Sequence, residues 1–593
     1  MQKLKSIELK IPPQSQNRAT MFKNCQAVSD WVESLPVADA QGLGKQLISA
    51  LDDLNRTVLP FSSRVEFMEI LRPLTRAANE NLENYYLHST FPLSPRVRNA
   101  YNLSQHILEQ MATGYKILVN ELMYDEPNSI HKDVLALSLY HAISYLARIL
   151  VCRYMIYAPE PKKVWFEIHQ LYLFAKALNL EANVLAIERK RGDTRKRSID
   201  MAYKRILLLS RAAPYHLMQG EANHCYQLME AWSGNCKLSN IDCEADMKDG
   251  LVIDAYDDKA PFFVLKDQQK FVPMQGWLLN CDEISEQLDK KISAYLTLPS
   301  DEENGPNVLK NRMERDMYFR LSDAWATRQE RKEDRPADTT ACSIVIGLSG
   351  CHYMFSEGGL FTPEKDELNV LAAQKVLENS KKNTPELKFA EHDEYWRLHN
   401  AHESEGQGRL SDFSRFEDAW GNVNVHLAQH QVQQKNMQLN IGCAEYQPSQ
   451  CVLKDKNSGG LKLYCDRNSG VQMRVGELLC FKGEDDVSYK IGSVRWLTCE
   501  KGNNLSIGVR FIAENAKAVA TRALKGVGHK GEYVRALVIT DMEGQQTMIT
   551  PAAVYDINTI LLVNMGNELK QVRLTELIEA TNAYSRYKYK ALL

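Results

Sequence analysis

Between about residues 15 and 235 apolar residues recur at helical spacing. In AQGLGKQLISALDDLNRTVL (40–59), Leu43, Leu47, Ala50, Leu51 and Leu54 fall on one stripe of an amphipathic helix. The stretch 94–123 opens with Ser94 as N-cap and Pro95 at the first helical position. Segments 162–178 and 199–213 read as two further helices. Few β-branched runs or turn pairs interrupt this region, so the pattern predicts a helical bundle or short helical array. No fixed-period repeat marks a solenoid.

From about 240 the pattern is mixed. DGLVIDAYDD and PFFVLKD read as strands, 282–298 as a helix, and 307–335 as a long charged helix broken at Pro336. ACSIVIGLSGCHYMF (341–355) is apolar and β-like. The stretch 356–435 is polar and rich in Lys, Glu, Gln and His, an insertion with some helix or a partly disordered segment. After it come short strands, CVLKD, LKLYC, LLCFKG, YKIGSVRWL and LSIGVRFI, separated by NSGG, DRNSG, GEDD and EKGNN. That spacing predicts a small antiparallel barrel. A third β-rich piece, YVRALVIT, QTMITPAAVY and TILLVNM, is closed by a predicted helix over LTELIEATNAY (574–584).

The expected organisation is therefore α+β and multidomain, an N-terminal helical bundle followed by antiparallel β-barrel domains. Its parts are a helical domain (1–235), a mixed α/β region ending in an Arg-rich helix and a β-like segment (236–355), and a polar insertion or linker (356–435). A barrel (436–525) and a C-terminal β-rich region with a terminal helix (526–593) follow.

The 593 residues are 44% apolar and 25% charged, ordinary for globular protein. A formal net charge of −3 provides no whole-protein basic field for a nucleic acid polymer. The most apolar long run, 134–158, is interrupted by His141, Arg148 and Arg153 and reads as a buried bundle helix rather than a membrane span. The N-terminus lacks an apolar core of signal-peptide length. Thirteen cysteines without a CxxC pair point to reduced thiols in a cytoplasm.

Residues from roughly 440 to 525 resemble the PilZ domain, a six-stranded barrel that commonly binds cyclic di-GMP. Asp455, Asn457 and Gly460 in DKNSGG stand at the spacing of the family's acidic-x-Ser-x-x-Gly motif. Gly492, Arg495 and Trp496, followed by Ile507, Gly508 and Phe511, resemble the later family strands. Asn457 replaces the family's Ser, and its amide both donates and accepts hydrogen bonds. The family's Arg-x-x-x-Arg motif is similar to Arg331 and Arg335, with Arg328 one turn earlier, upstream of the β-like run at 341. The distance from Arg335 to Asp455 is far longer than usual, so either 356–435 is inserted into the barrel or the arginines belong to a separate element.

The resemblance implies cyclic di-GMP as a ligand, not a catalytic cofactor, and Arg328, Arg331, Arg335, Asp455, Asn457 and Gly460 as its binding residues. Guanidinium forks suit both chemistries of that ligand, phosphate oxygens and the O6/N7 edge of guanine. Read without the resemblance, Arg331 and Arg335 are neighbours on a solvated helix beside Glu330, Glu333 and Asp334, and Gly460 is a plain turn glycine. Two functions stay open. One is an effector that couples dinucleotide binding to a protein partner through the helical region. The other is a PilZ-like scaffold that binds no ligand. No catalytic set emerges: SGCH (349–352) lacks a nucleophile-elbow frame. His392, His399 and His402, with Asp393 and Glu394, lack metal-ligand spacing.

Overall fold

A computed structural model describes residues 7–16, 21–123, 129–190, 193–241, 251–264, 275–296, 307–326, 339–381, 446–526, 532–541 and 544–592. They fall into two compact units. The first runs to Gly347 and resumes over 447–514, and the second comprises Leu348–Lys381, Tyr446 and the residues from Asn515 onward.

The first unit begins with α1 (Cys25–Glu33), α2 (Ala40–Arg56), α3 (Phe61–Glu83), α4 (Pro95–Leu122), α5 (Ser129–Met155) and α6 (Val164–Ala177). A charged hairpin follows, β1 (Leu185–Lys190) and β2 (Asp193–Arg197), then α7 (Ile199–Arg211) and α8 (Glu221–Trp232). The expected stripe of α2 is buried at all five positions, and Asp39 caps the helix by accepting from Gln41 N at 3.2 Å. In α5, 67% of the apolar window is buried by neighbouring protein, which accounts for a composition otherwise long and apolar enough to cross a membrane. Next comes a small antiparallel sheet of β3 (Lys237–Asn240), β4 (Leu251–Asp254), β5 (Phe262–Phe263) and β6 (Gly276–Asn280), with α9 (Asp282–Leu296) and α10 (Asn307–Ala326).

The unit ends in a closed six-stranded antiparallel barrel of β7 (Ala341–Ile346), β8 (Ser449–Asn457), β9 (Gly460–Cys465), β10 (Leu478–Gly483), β11 (Lys490–Cys499) and β12 (Leu505–Ala513), in the order β10-β11-β12-β9-β8-β7. This corrects the expected 436–525 boundary. The first barrel strand precedes the polar segment, which is thus inserted between β7 and β8, and the last ends at Ala513. The β-like run 341–355 divides at Gly347, whose φ of +85° ends the strand; α11 (Leu348–Phe355) follows.

Helices and barrel of this unit share a continuous buried core rather than two separate ones. Phe91 and Met473 form an isolated antiparallel bridge, each accepting from the other's N–H at 3.0 Å. Cys499 N donates to Tyr157 O at 2.8 Å, and Arg474 donates to His88 O at 2.8 Å. Apolar residues that face the barrel carry the same helical spacing as those facing other helices, so the sequence pattern does not separate the two contacts.

The second unit holds α11, α12 (Pro363–Lys381) and a second closed barrel of β13 (Ala516–Lys525), β14 (Val534–Thr540), β15 (Gln546–Pro551), β16 (Ile560–Asn564), β17 (Leu569–Ala580) and β18 (Tyr584–Ala591). Glu367 of α12 ties onto this barrel by accepting from Arg522 at 2.6 Å and Tyr533 at 2.9 Å. The expected terminal helix over 574–584 is instead mostly β17, paired with β16 and β18.

The expectation of reduced thiols is corrected for one pair, while the other nine described cysteines are free. Cys451 and Cys465 sit opposite each other on β8 and β9, with Cα atoms 4.5 Å apart, and form a disulfide. Sequence separation across a hairpin hides such a pair; strand register creates it.

Candidate functional site

The quoted DKNSGG is the β8–β9 hairpin. Asn457 pairs with Gly460 across a two-residue connection, Ser458 and Gly459. The Asn457 side-chain oxygen accepts from Gly459 N at 3.1 Å and from Gly460 N at 3.0 Å. Asn457 therefore closes the turn itself, as short polar side chains do when they satisfy neighbouring backbone donors. Gly460 has no positive φ. Its requirement is a close approach: a Cβ there would overlap the Val509 carbonyl oxygen and lie 3.4 Å from Arg510 Cα. Phe511 N also donates to Gly459 O at 3.1 Å, so β12 clasps the turn from the side.

A shift in register between Leu453 and Asp455 re-aims the end of β8. Beyond it, four residues share one row across four strands: Asp455 on β8 opposite Lys462 on β9, Lys462 opposite Gly508 on β12, and Gly508 opposite Trp496 on β11. Leu461, Leu463 and Val509 on either side of this row are buried in the barrel, while Asp455, Lys462 and Trp496 keep part of their surface in solvent. Gly508 is the floor of the row, since a Cβ there would overlap the Trp496 indole. The Lys462 ammonium lies 6.0 Å from the indole centroid. The row offers a carboxylate, a cation and an aromatic face on one outer surface.

The same end of the barrel receives the start of β7. Thr340 O accepts from Leu453 N at 2.9 Å, and Ala341 pairs with Val452. The β10–β11 connection lies here too, where the Asp486 carboxylate accepts from Gly483 N at 3.0 Å and pairs with Lys490 at 2.8 Å. Burial pushes the Asp486 carboxyl up, but the Lys490 and Gly483 hydrogen bonds and the nearby Lys456 and Lys490 charges outweigh it and hold the group below its ordinary range.

Of the six expected ligand residues, the structure brings together Asp455, Asn457 and Gly460. Arg328, Arg331 and Arg335 lie outside the described residues, as do His392, Asp393, Glu394, His399 and His402. Cys351 is buried in α11, and His352 Nε2 lies 3.2 Å from Val519 O, a core contact on the second barrel. Sequence reasoning missed Lys462 as a site residue and used Trp496 only as a fold marker. The signal for both is strand register, which a single sequence does not display.

Three consecutive family models match the chain: cyclic-di-GMP receptor FimW, N-terminal domain, over 26–245; its middle PilZ domain over 251–518; and the FimW C-terminal β-barrel domain over 519–592. A curated relative, "Cyclic-di-GMP receptor FimW" of Pseudomonas aeruginosa, is 22% identical over 595 residues, covering 99% of this chain and 93% of the relative. No solved structure matches.

Proposed function

Since the chain belongs to the PilZ-domain family, as a divergent member with a helical N-terminal region, we propose that it is a cyclic di-GMP receptor that couples dinucleotide binding to a protein partner. The observation that carries this reading is the row Asp455–Lys462–Gly508–Trp496 beside the DKNSGG hairpin, on a barrel whose first strand is β7. The indole supplies a stacking face for a guanine base. The Asp455 carboxylate accepts from the N1–H and amino group of guanine, and Lys462 faces phosphate.

We assign the arginines to this site as well, and covalent reach supports it for Arg335. Arg335 precedes Thr339 by four residues, so their Cα atoms are at most about 14 Å apart. Thr340 is hydrogen-bonded to Leu453 of β8, two residues before Asp455. In sequence, Arg328, Arg331 and Arg335 precede β7, the strand that pairs with β8 of the hairpin. The insertion after β7 accounts for the long sequence distance between these arginines and Asp455, since β7 itself neighbours β8. We assign them the phosphates and the guanine O6/N7 edge.

In this account the protein acts by binding, not by catalysis. A signal requires that ligand favour one arrangement over another, and we assign the helical region, which shares its core with the barrel, to the protein partner. We assign the receptor to the cytoplasm. The scaffold reading has one observation of its own: the Asn457 side-chain oxygen is already engaged by the turn. Equilibrium dialysis of the full chain against labelled cyclic di-GMP separates the two. The receptor reading expects saturable binding displaced by unlabelled cyclic di-GMP and not by GTP. Folded protein that retains no label leaves only the scaffold.

A further inference from the structure

Three of the free cysteines among the described residues keep part of their surface in solvent: Cys25, Cys281 and Cys499. The Cys25 thiol donates to the Glu66 carboxylate at 2.7 Å, a hydrogen bond that pushes its pKa up. Burial pushes the Cys499 thiol up to about 12. Cys281 differs, because a second cysteine faces it.

Strands β3 and β6 pair antiparallel from Asn240 opposite Trp277 to Lys237 opposite Asn280. One step further along the same register stand Cys236, just before β3, and Cys281, just after β6. Opposed residues of an antiparallel ladder have Cα atoms about 4.5–5.5 Å apart, within the span of a disulfide. The first barrel shows the same arrangement with the bond made, between Cys451 and Cys465. Cys236 and Cys281 are both free thiols, and the Cys236 thiol is hydrogen-bonded with Cys281. That hydrogen bond, with burial, pushes Cys236 well up, so it stays protonated and donates its S–H to the Cys281 sulfur.

The two sulfurs are not equivalent. Cys236 is 1% exposed, whereas Cys281 is partly exposed. Cys281 also stands at the N-terminus of α9, where its carbonyl accepts from Ser285 N at 3.0 Å. Arg211, the last residue of α7, lies close enough for the Cys281 charge to raise its proton affinity against the lowering by burial. The neighbouring carboxylates are engaged elsewhere, Glu283 by Lys237 and Asp282 by the Asn280 amide at 2.8 Å. A partly exposed sulfur beside a cation and a helix N-terminus is a setting in which cysteines exchange with disulfides, and a buried sulfur beside it is reached through its neighbour.

We propose that Cys236 and Cys281 form a reversible redox pair, in which Cys281 attacks a low-molecular-weight disulfide and Cys236 resolves the product. The Cys281 thiolate attacks one sulfur of the disulfide RSSR, forming Cys281–S–S–R and releasing RS⁻. Cys236 then loses its proton and attacks the Cys281 sulfur, which closes the Cys236–Cys281 bond and releases the second RS⁻. The two protons given up by the cysteines end on the two released thiols, so two electrons pass from the pair to RSSR. The new bond ties the chain just after α8 to the start of α9. The pair shares no residue with the barrel row and stands whether or not the barrel binds cyclic di-GMP.

The test exposes the folded full chain to glutathione disulfide and maps linked peptides under non-reducing conditions. Wild type should yield a Cys236–Cys281 link, separate in the map from Cys451–Cys465, and dithiothreitol should return both thiols. Cys236→Ser should halt the reaction half-way, with glutathione retained on Cys281. Cys281→Ser should lose modification of Cys236 over the same interval. The proposal is overturned if folded wild type keeps both thiols free, a result that needs no variant to fold. It is overturned equally if folded Cys236→Ser retains no glutathione on Cys281, or if Cys236 of the Cys281→Ser variant is modified as fast as the wild-type link forms.

Discussion

The backbone of β12 passes so close to Gly460 that a Cβ there would overlap the carbonyl oxygen of Val509. Gly460 is held to glycine by a strand neighbour, not by turn geometry. Gly460→Ala should destabilise the first unit by about 1–3 kcal/mol, the scale of forced backbone displacement. Urea unfolding of the variant checks this; an unchanged midpoint would show that β12 moves aside freely.

Asn457 tests how far the hairpin is structural. Its side-chain oxygen satisfies two backbone donors, so Asn457→Ala should cost about 1–2 kcal/mol of stability. Asn457→Ser keeps an acceptor near the same donors and restores the family's hydroxyl. It should retain most of the stability and bind cyclic di-GMP at least as tightly as wild type. Stability and affinity are measured on the same preparations, because a broken turn imitates a lost contact. A serine variant that folds normally but loses affinity would contradict the motif assignment.

Trp496 carries the stacking face. Trp496→Ala should lower cyclic di-GMP affinity by about 1–3 kcal/mol, the range for base–aromatic stacking, while Trp496→Phe keeps most of it. Calorimetric titration of both variants decides; equal affinities for Ala and wild type would remove the row Asp455–Lys462–Gly508–Trp496 from the site.

Two buried histidines set an acid limit on the first unit. Burial lowers the pKa of His141 and of His169 to about 4. Both are neutral in the folded chain, while the unfolded chain takes up protons near the ordinary value. Stability conferred by these groups is therefore constant well above pH 6.5 and falls as pH drops from about 6.5 toward 4. At about pH 5 the loss should reach up to about 2 kcal/mol per histidine. Denaturant unfolding at pH 7 and pH 5 measures it, and His169→Gln should flatten part of the difference.

Much of this fold was legible in the residues, for reasons that also explain the failures. The α2 stripe and the short strands β8–β12 and β14–β16 follow simple periods, and each forms where its period predicts. The segment 574–584 misled because β17 shifts register twice, between Leu574 and Glu576 and between Leu577 and Glu579. Those bulges break the two-residue alternation and leave Leu574, Leu577 and Ile578 at helical spacing. The β1–β2 hairpin offers only Leu185 and Ile187 as a short apolar alternation, and β2 is wholly polar, so nothing in the sequence marked the pair as strands. At the barrel, Asp455, Asn457 and Gly460 were readable as a motif, whereas Lys462 and Trp496 join them only through register across β9, β12 and β11. β7 was read as β-like with its place in the barrel left open, because its partners lie beyond a long insertion.

The central claim is that one ligand is held jointly by the hairpin row and by the arginines that precede β7. Calorimetric titration of cyclic di-GMP into wild type, Arg331→Ala, Arg335→Ala and Arg331→Lys tests it most directly. The account predicts saturable binding by wild type, a loss of about 1.5–3 kcal/mol for each alanine variant, and little rescue by lysine, which lacks the fork. Equal affinity for wild type and both alanine variants would contradict it.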